Sequence, residues 1–310
     1  MSYKIVVLDG IYANPGDLSW EPLNEYGDVT IYERTSQSQV LERAANADIL
    51  IINKIKLRAT EFEQLPNLKL VIISATGMDN VDLDAAKKYK IPVKNVSGYS
   101  TQSVAQHVFS MILTLYNQVQ AHDQSVKQGD WNSDKGFSYL LSTIPELSEK
   151  TITVVGYGQI GSEVAKVAKA FGMEILVVSN HSSHLDDYEL VSLEEGFQRG
   201  DIVTLHWPLT PEREGFVNKQ LLKTMKPSAI LVNTARGGLI NESDLSDALK
   251  GKTIAAAALD VMINEPPVTN HPLLMLSNCI VTPHIAWASS KARSILLKKV
   301  IEHVANFKTE

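Results

Sequence analysis

The sequence predicts an α/β protein made of two doubly wound parallel-sheet domains. Three observations lead there. The chain, at 310 residues, exceeds what one comfortable core holds. Short β-branched runs alternate with helical patterns over two separate stretches. A glycine-rich turn follows the first strand-like run of the second stretch and opens a helix there.

The first stretch carries strand-like runs at 5–8, 29–32, 49–52, 70–73 and 93–96, with helix-like patterns at 38–47 and 83–89 between them. Strands that alternate with helices build a parallel sheet with helices on its faces. From 103 to 119, Val104, Val108, Met111, Ile112, Leu115 and Val119 recur on one helical face, which predicts a long helix joining the two domains. Residues 129–145 are polar but include Trp131, Phe137 and Tyr139. This long excursion either reaches a partner subunit or lies on its own domain. The alternation restarts with six strand-like runs at 151–155, 175–179, 202–205, 230–233, 255–260 and 279–282, and a last helix is expected at 292–307.

Composition narrows the function classes. A hydrophobic content of 44% suits a well-buried globular enzyme, and a net charge of −6 leaves no broad basic field for nucleic acid or an anionic membrane. The longest apolar runs, at 49–52 and 254–259, are far shorter than a membrane span. The first nine residues are strand-like rather than a charged segment followed by a long apolar run and a cleavage site. With Cys279 as its single cysteine the chain forms no intramolecular disulfide, which fits a reducing compartment, so a cytoplasmic location is expected. No metal-ligand spacing is present, and no metal is expected.

The motif with the firmest context is Val154-Val-Gly-Tyr-Gly-Gln-Ile-Gly161. Gly156 permits the tight turn, Gly158 lets backbone approach a pyrophosphate, and Gly161 lets the helix pack on the strand. Amides at the start of that helix, around Gln159 and Ile160, would bind phosphates without a lysine. About twenty residues on, where a carboxylate for ribose hydroxyls is common, stand Ser179, Asn180 and His181. These neutral donors would tolerate a 2′-phosphate, but no Arg or Lys is there to attract one, so NAD and NADP both stay open.

Three later segments supply an arginine, a carboxylate and a histidine: Asn233-Thr-Ala-Arg-Gly-Gly238, Asp260-Val-Met-Ile-Asn-Glu-Pro-Pro267 and Thr282-Pro-His-Ile285. Arg236 offers a planar, permanently charged fork for a carboxylate, His284 can pass a proton near neutrality, and Glu265 can hold that imidazole's orientation and charge. Each alone reads more readily as a solvated or locally hydrogen-bonded surface residue.

These segments, together with Ser74-Ala-Thr-Gly-Met-Asp-Asn-Val-Asp82, Val96-Ser-Gly-Tyr-Ser-Thr-Gln-Ser-Val-Ala105 and His206-Trp-Pro-Leu-Thr210, run in the order found in the D-isomer-specific 2-hydroxyacid dehydrogenases. The chain resembles that family over nearly its whole length. Its wording at 75–82 and 282–288 is similar to the glycerate dehydrogenase or hydroxypyruvate reductase branch. The resemblance implies a flavodoxin-like substrate domain from residues 1–99 and 286–310, a Rossmann domain for NAD(P) from 100–285, and a homodimer. It implies that Arg236, Glu265 and His284 are catalytic, acting on a small 2-hydroxy or 2-keto acid. D-lactate or broad 2-ketoacid reduction is the alternative within the class, and an NAD(H)-sensing corepressor-like protein the alternative outside it. Asp260 would meet the nicotinamide carboxamide, with Thr234 and Ala235 adding backbone contacts, although a capping role is its plain alternative. Pro208 would lie near the adenosine, with Trp207 beside it or in the core. In the substrate domain, amides around Thr76 and Gly77 would bind the substrate carboxylate; the other reading is an ordinary strand-to-helix connection capped by Asp79 or Asn80. Trp287 is a pocket wall or a packing residue. Asn53 and Lys54 follow a strand in the same domain, where the plain reading of Lys54 is solvation. Gln106 stands where the family often has Glu.

Overall fold

The computed structural model describes residues 2–180 and 188–309. The chain divides into two compact units, one formed by Met1–Ser100 with Trp287–Glu310 and the other by Thr101–Ala286.

In the first unit, strands β1 (Tyr3–Val7), β2 (Gly27–Ile31), β3 (Ile49–Ile52), β4 (Leu70–Ile73) and β5 (Val93–Asn95) form one sheet. Its order is β2-β1-β3-β4-β5, parallel throughout. This is the flavodoxin-like order. Successive side chains of a strand point to opposite faces, and both faces here are apolar. Val6, Leu8, Leu50, Ile52, Val71 and Ile73 pack with Val40, Phe62 and Ala85 from helices α1 (Val40–Ala44), α2 (Ala59–Gln64) and α3 (Leu83–Lys88). Ile5, Val7, Ile49, Ile51, Leu70 and Ile72 pack instead with Ala292, Leu296, Val300 and Val304 of the terminal helix, Ser290–Thr309. A sheet hydrophobic on both sides needs two covering layers, and the returning helix provides the second. An ion pair of Arg293 with Asp17 holds that helix to the same unit.

The second unit opens with α4 (Thr101–Asn117) and α5 (Val119–Lys127). The single helix expected over 103–119 stops two residues early, because Gln118 takes a left-handed φ of 47° that breaks the helix before α5 restarts. The sheet that follows contains β6 (Thr151–Val155), β7 (Glu174–Val178), β8 (Glu189–Leu190), β9 (Ile202–Leu205), β10 (Ile230–Asn233), β11 (Ala256–Leu259) and β12 (Cys279–Val281). Helices α6 (Gln159–Ala170), α7 (Leu193–Arg199), α8 (Lys219–Leu222) and α9 (Glu242–Lys250) connect them. The order is β12-β11-β10-β9-β6-β7-β8, with every pair parallel. Six strands were expected and seven form. The extra one, β8, is a two-residue edge strand beside β7, too short to carry a periodic signal. The order reverses around β6, so the turn after β6 lies at the switch point where such sheets receive ligands. Phe197, Leu205, Leu231, Leu245 and Leu259 lie in the core beneath it. Among the described residues no helix is long and apolar enough to cross a membrane.

Replacing Phe197, which is fully buried, by Ala should cost about 3–5 kcal/mol in a urea titration, with the slope unchanged. A loss under about 1 kcal/mol would contradict its place in the core.

Candidate active site

The glycine loop takes its shape from contacts that only glycine permits. Gly156 has φ +102°, and a Cβ there would stand 2.7 Å from Trp207 Cδ1 and 2.9 Å from the His206 carbonyl carbon. A Cβ on Gly161 would overlap the Gly156 carbonyl oxygen, so α6 packs directly on the turn. Gly158, the N-cap of α6, has no heavy atom within 4 Å of its would-be Cβ. Its backbone faces open space, which is what close approach of a pyrophosphate requires, with Gln159 and Ile160 following in the first helical turn. His206 bonds Thr204 Oγ1 at 3.0 Å, and burial lowers its pKa to about 3, so this imidazole is neutral beside the loop.

At the other candidate cofactor positions, Ser179 follows β7 and is half-buried, and Asn180 is exposed. His181 lies outside the described residues. Pro208 is exposed, while Trp207 packs against Phe216 at 5.5 Å with the Arg213 guanidinium over its ring at 4.6 Å. Thr234 Oγ1, just beyond β10, is buried without a hydrogen-bond partner. An orphaned buried hydroxyl is costly, and a bound nicotinamide would give it a partner.

Arg236 is presented by a bracket that the sequence did not reveal. Asn233, fully buried at the end of β10, accepts from the Ala235 amide at 3.0 Å and donates to the Arg236 carbonyl at 2.8 Å. The Arg236 guanidinium donates to the Ala235 carbonyl at 2.8 Å. At the next residue, a Cβ on Gly237 would overlap the Met262 carbonyl, so the Arg236 loop lies backbone to backbone against the segment that carries Glu265.

Glu265 and His284 meet. Glu265 Oε2 lies 2.6 Å from His284 Nδ1, and Glu265 Oε1 accepts from the Met262 amide at 3.1 Å. Nδ1 is thus committed to the carboxylate. His284 itself has φ +56°, a left-handed conformation that costs a non-glycine residue about 1–3 kcal/mol.

The neighbours of His284 hold it there. Asp260, only 1% exposed, accepts from Thr282 Oγ1 at 2.6 Å, the Ile285 amide at 2.9 Å and the Ala286 amide at 2.8 Å. From α4, His107 Nε2 lies 3.0 Å from Thr282 Oγ1, and Ser103 Oγ donates to the Ala286 carbonyl at 2.7 Å. Asp260, expected at the nicotinamide carboxamide or in a capping role, accepts from the residues that flank His284. His107 and Ser103 were missed. Their four-residue spacing on a helix, polar beside an apolar face, was the available signal.

The first unit's candidates have local partners of their own. Asp9, buried after β1, accepts from the amides of Asn53 at 2.7 Å, Lys54 at 2.6 Å and Ile55 at 3.2 Å. Burial raises its carboxyl above the usual range against the opposing pull of those amides. Asp9 thus ties the chain just after β1 to the chain just after β3, the two strands that flank the switch point of this sheet order. Asn53 Nδ2 donates to the Ser74 carbonyl at 2.6 Å, and Asn80 Nδ2 to the Ile55 carbonyl at 2.8 Å. The expected capping by Asp79 or Asn80 does not occur: Asp82 caps α3 by accepting from the Ala85 amide. Thr76 is exposed with its carbonyl held by Asn95 Nδ2 at 2.6 Å, and Gly77 beside it is half-buried. Trp287 packs edge-on against Tyr99 at 6.2 Å, in the cluster beneath the terminal helix.

A nucleotide loop at a switch point, followed by a carboxylate–imidazole pair and an arginine on adjoining loops, is an arrangement with relatives. The model of the NAD-binding domain of the D-isomer specific 2-hydroxyacid dehydrogenases matches residues 109–286. The chain belongs to this family. It is 39% identical to the hydroxypyruvate reductase of Blautia hydrogenotrophica over 98% of this chain and 96% of that one. It is also 39% identical to the glycerate dehydrogenase of Methylorubrum extorquens, over 99% and 96%. Among solved structures, an acyclic imino acid reductase in complex with NADPH and D-Arg superposes with a TM-score of 0.87 at 30% identity, covering 98% of this chain and 96% of that one. As a D-2-hydroxyacid dehydrogenase the chain is an NAD(P)-linked oxidoreductase of hydroxy and keto acids.

Asp260→Ala would leave one hydroxyl and two amides without their charged acceptor. The variant should lose about 3 kcal/mol or more in urea unfolding, and Asp260→Asn, which keeps one oxygen, should lose less. Equal stability of all three proteins would contradict the bracing role.

Proposed function

We propose that this dehydrogenase reduces hydroxypyruvate, or glyoxylate, to the corresponding 2-hydroxy acid and runs the reverse oxidation of D-glycerate. The observation that carries the reading is the 2.6 Å contact of His284 Nδ1 with Glu265 Oε2 beside the Arg236 loop. The substrate range rests on the hydroxypyruvate reductase and glycerate dehydrogenase relatives.

Arg236 would pair with the substrate carboxylate and polarise the C2 oxygen, aligning C2 for attack. The reduced nicotinamide, when bound, supplies the hydride to C2. His284 would donate its Nε2 proton to the C2 oxygen, and in the oxidation direction neutral His284 would accept it. Glu265 stabilises the imidazolium through Nδ1 and fixes the ring so that Nε2 faces the reacting oxygen. The glycine loop at Gly156, Gly158, Gln159, Ile160 and Gly161 would hold the pyrophosphate, Thr234 and Ala235 the nicotinamide end, and Ser179, Asn180 and Pro208 the adenosine end. No carboxylate stands at Ser179 or Asn180, which supports acceptance of both NADH and NADPH. For the first unit we assign Thr76 and Gly77 to the substrate carboxylate and Trp287 to the substrate side chain.

We further propose a cytoplasmic homodimer formed through residues 119–144. Val119, Phe137 and Leu140 are 67%, 93% and 68% exposed there, and a second copy covering them would take that apolar surface out of water.

Steady-state rates with glyoxylate, hydroxypyruvate and pyruvate, each with NADH and NADPH, test the activity. Hydroxypyruvate or glyoxylate should be turned over faster than pyruvate, and His284→Asn should lower kcat about 10²–10⁴-fold while the Kd of reduced cofactor stays within about twofold. No turnover of any 2-keto acid would overturn the reading. By light scattering the protein should have twice the 34.2 kDa chain mass and Phe137→Asp should shift it toward one; a monomeric wild type contradicts the dimer.

A further inference from the structure

Behind the Glu265–His284 pair stands a second carboxylate–imidazole pair with no part in the chemistry above. We propose that Glu242 and His271 are positioning residues that set Glu265, and through it His284. This inference rests on the catalytic reading of Glu265.

The placement of Glu242 comes from α9. Asn241 caps that helix by accepting from the Asp244 amide at 3.1 Å, which puts Glu242 at the first helical position, where the helix dipole favours a carboxylate. Its two oxygens then leave the helix for different targets. Oε1 accepts from the Ile263 amide at 2.7 Å, and Oε2 meets His271 Nε2 at 3.1 Å. His271 Nδ1 in turn accepts from the Leu273 amide at 3.3 Å, so the ring is held at both nitrogens. Only an imidazole with its hydrogen on Nε2 and a lone pair on Nδ1 makes both bonds, and that form donates to Glu242. Both side chains are largely withdrawn from solvent, 14% and 18% exposed, so the contact is not one of the freely solvated ion pairs that fix little.

The connection to the site is one peptide bond long. The consecutive amides of Met262 and Ile263 go to two different carboxylates, Met262 to Glu265 and Ile263 to Glu242. The peptide that carries the Ile263 amide also carries the Met262 carbonyl, and that carbonyl is the group pressed against Gly237, next to Arg236. If Glu242 is lost, this peptide can turn. Its turning disturbs the backbone at Met262, the residue whose amide orients Glu265, and loosens the contact of the Met262 carbonyl with Gly237. A side chain with only a helix-end role would not touch this peptide.

The test is a double-mutant cycle on kcat with the 2-keto acid that the wild type turns over. Glu242→Gln keeps an oxygen for the Ile263 amide but faces the His271 donor with a second donor. His271→Asn keeps an oxygen for the Leu273 amide but no longer reaches Glu242. Each should lower kcat about tenfold with the KM for reduced cofactor unchanged, and His271→Asn should unfold at the wild-type urea midpoint. In a Glu265→Gln background, Glu242→Gln should cause no further loss. A full additional loss in the double variant overturns the proposal, as does a lowered urea midpoint with kcat intact in the single ones. Undiminished kcat in Glu265→Gln alone removes the catalytic reading itself, a result separate from either.

Discussion

The second unit is arranged around keeping His284 in a backbone conformation it would not choose. A left-handed histidine persists only where its flanks over-determine it. Asp260 takes the Thr282 hydroxyl and the amides of Ile285 and Ala286, so one buried carboxylate grips both sides of the histidine. Burying that charge is tolerable because three donors converge on it. α4 closes the grip through His107 and Ser103. With the backbone fixed, Glu265 orients the imidazole at Nδ1.

Glycine plays the complementary part. Gly161 and Gly237 let one backbone segment press against another, Gly161 against the nucleotide turn and Gly237 against the Glu265 segment. The cofactor loop therefore packs on its own helix and the arginine loop on the carboxylate loop, all following strands of a single sheet. This arrangement suits a reaction in which hydride donor, carboxylate anchor and proton donor must stay in register.

The fold was legible where burial imposes a pattern. Strands such as 49–52, 70–73, 202–205 and 230–233 are buried along their whole length, and their continuous β-branched runs give the bounds directly. The two-residue β8 and the break at Gln118 carry no such pattern, because an edge pairing and a single left-handed residue are set by tertiary context. Arg236, Glu265 and His284 have residue types suited to charge and proton transfer, but it is the family order of their segments that sets them apart from surface residues. The bracing roles could not be read in this way. Asn233, His107, Thr282, Glu242 and His271 act through hydrogen bonds to backbone and side-chain groups that only the fold brings into place, and a carboxylate that binds amides looks the same in a sequence as one that faces solvent. Asp260 shows the limit most plainly, since nothing in its residue type points to the Thr282 hydroxyl and the Ile285 and Ala286 amides that it binds.

A crystal structure of the protein with reduced cofactor and oxamate, an unreactive analogue of a 2-keto acid, would show which groups hold the substrate. The oxamate carboxylate is expected on the Arg236 guanidinium and its amide carbonyl oxygen within about 3.2 Å of His284 Nε2, with Nδ1 still on Glu265. An analogue bound through other residues, with His284 Nε2 turned away from the carbonyl, would contradict it.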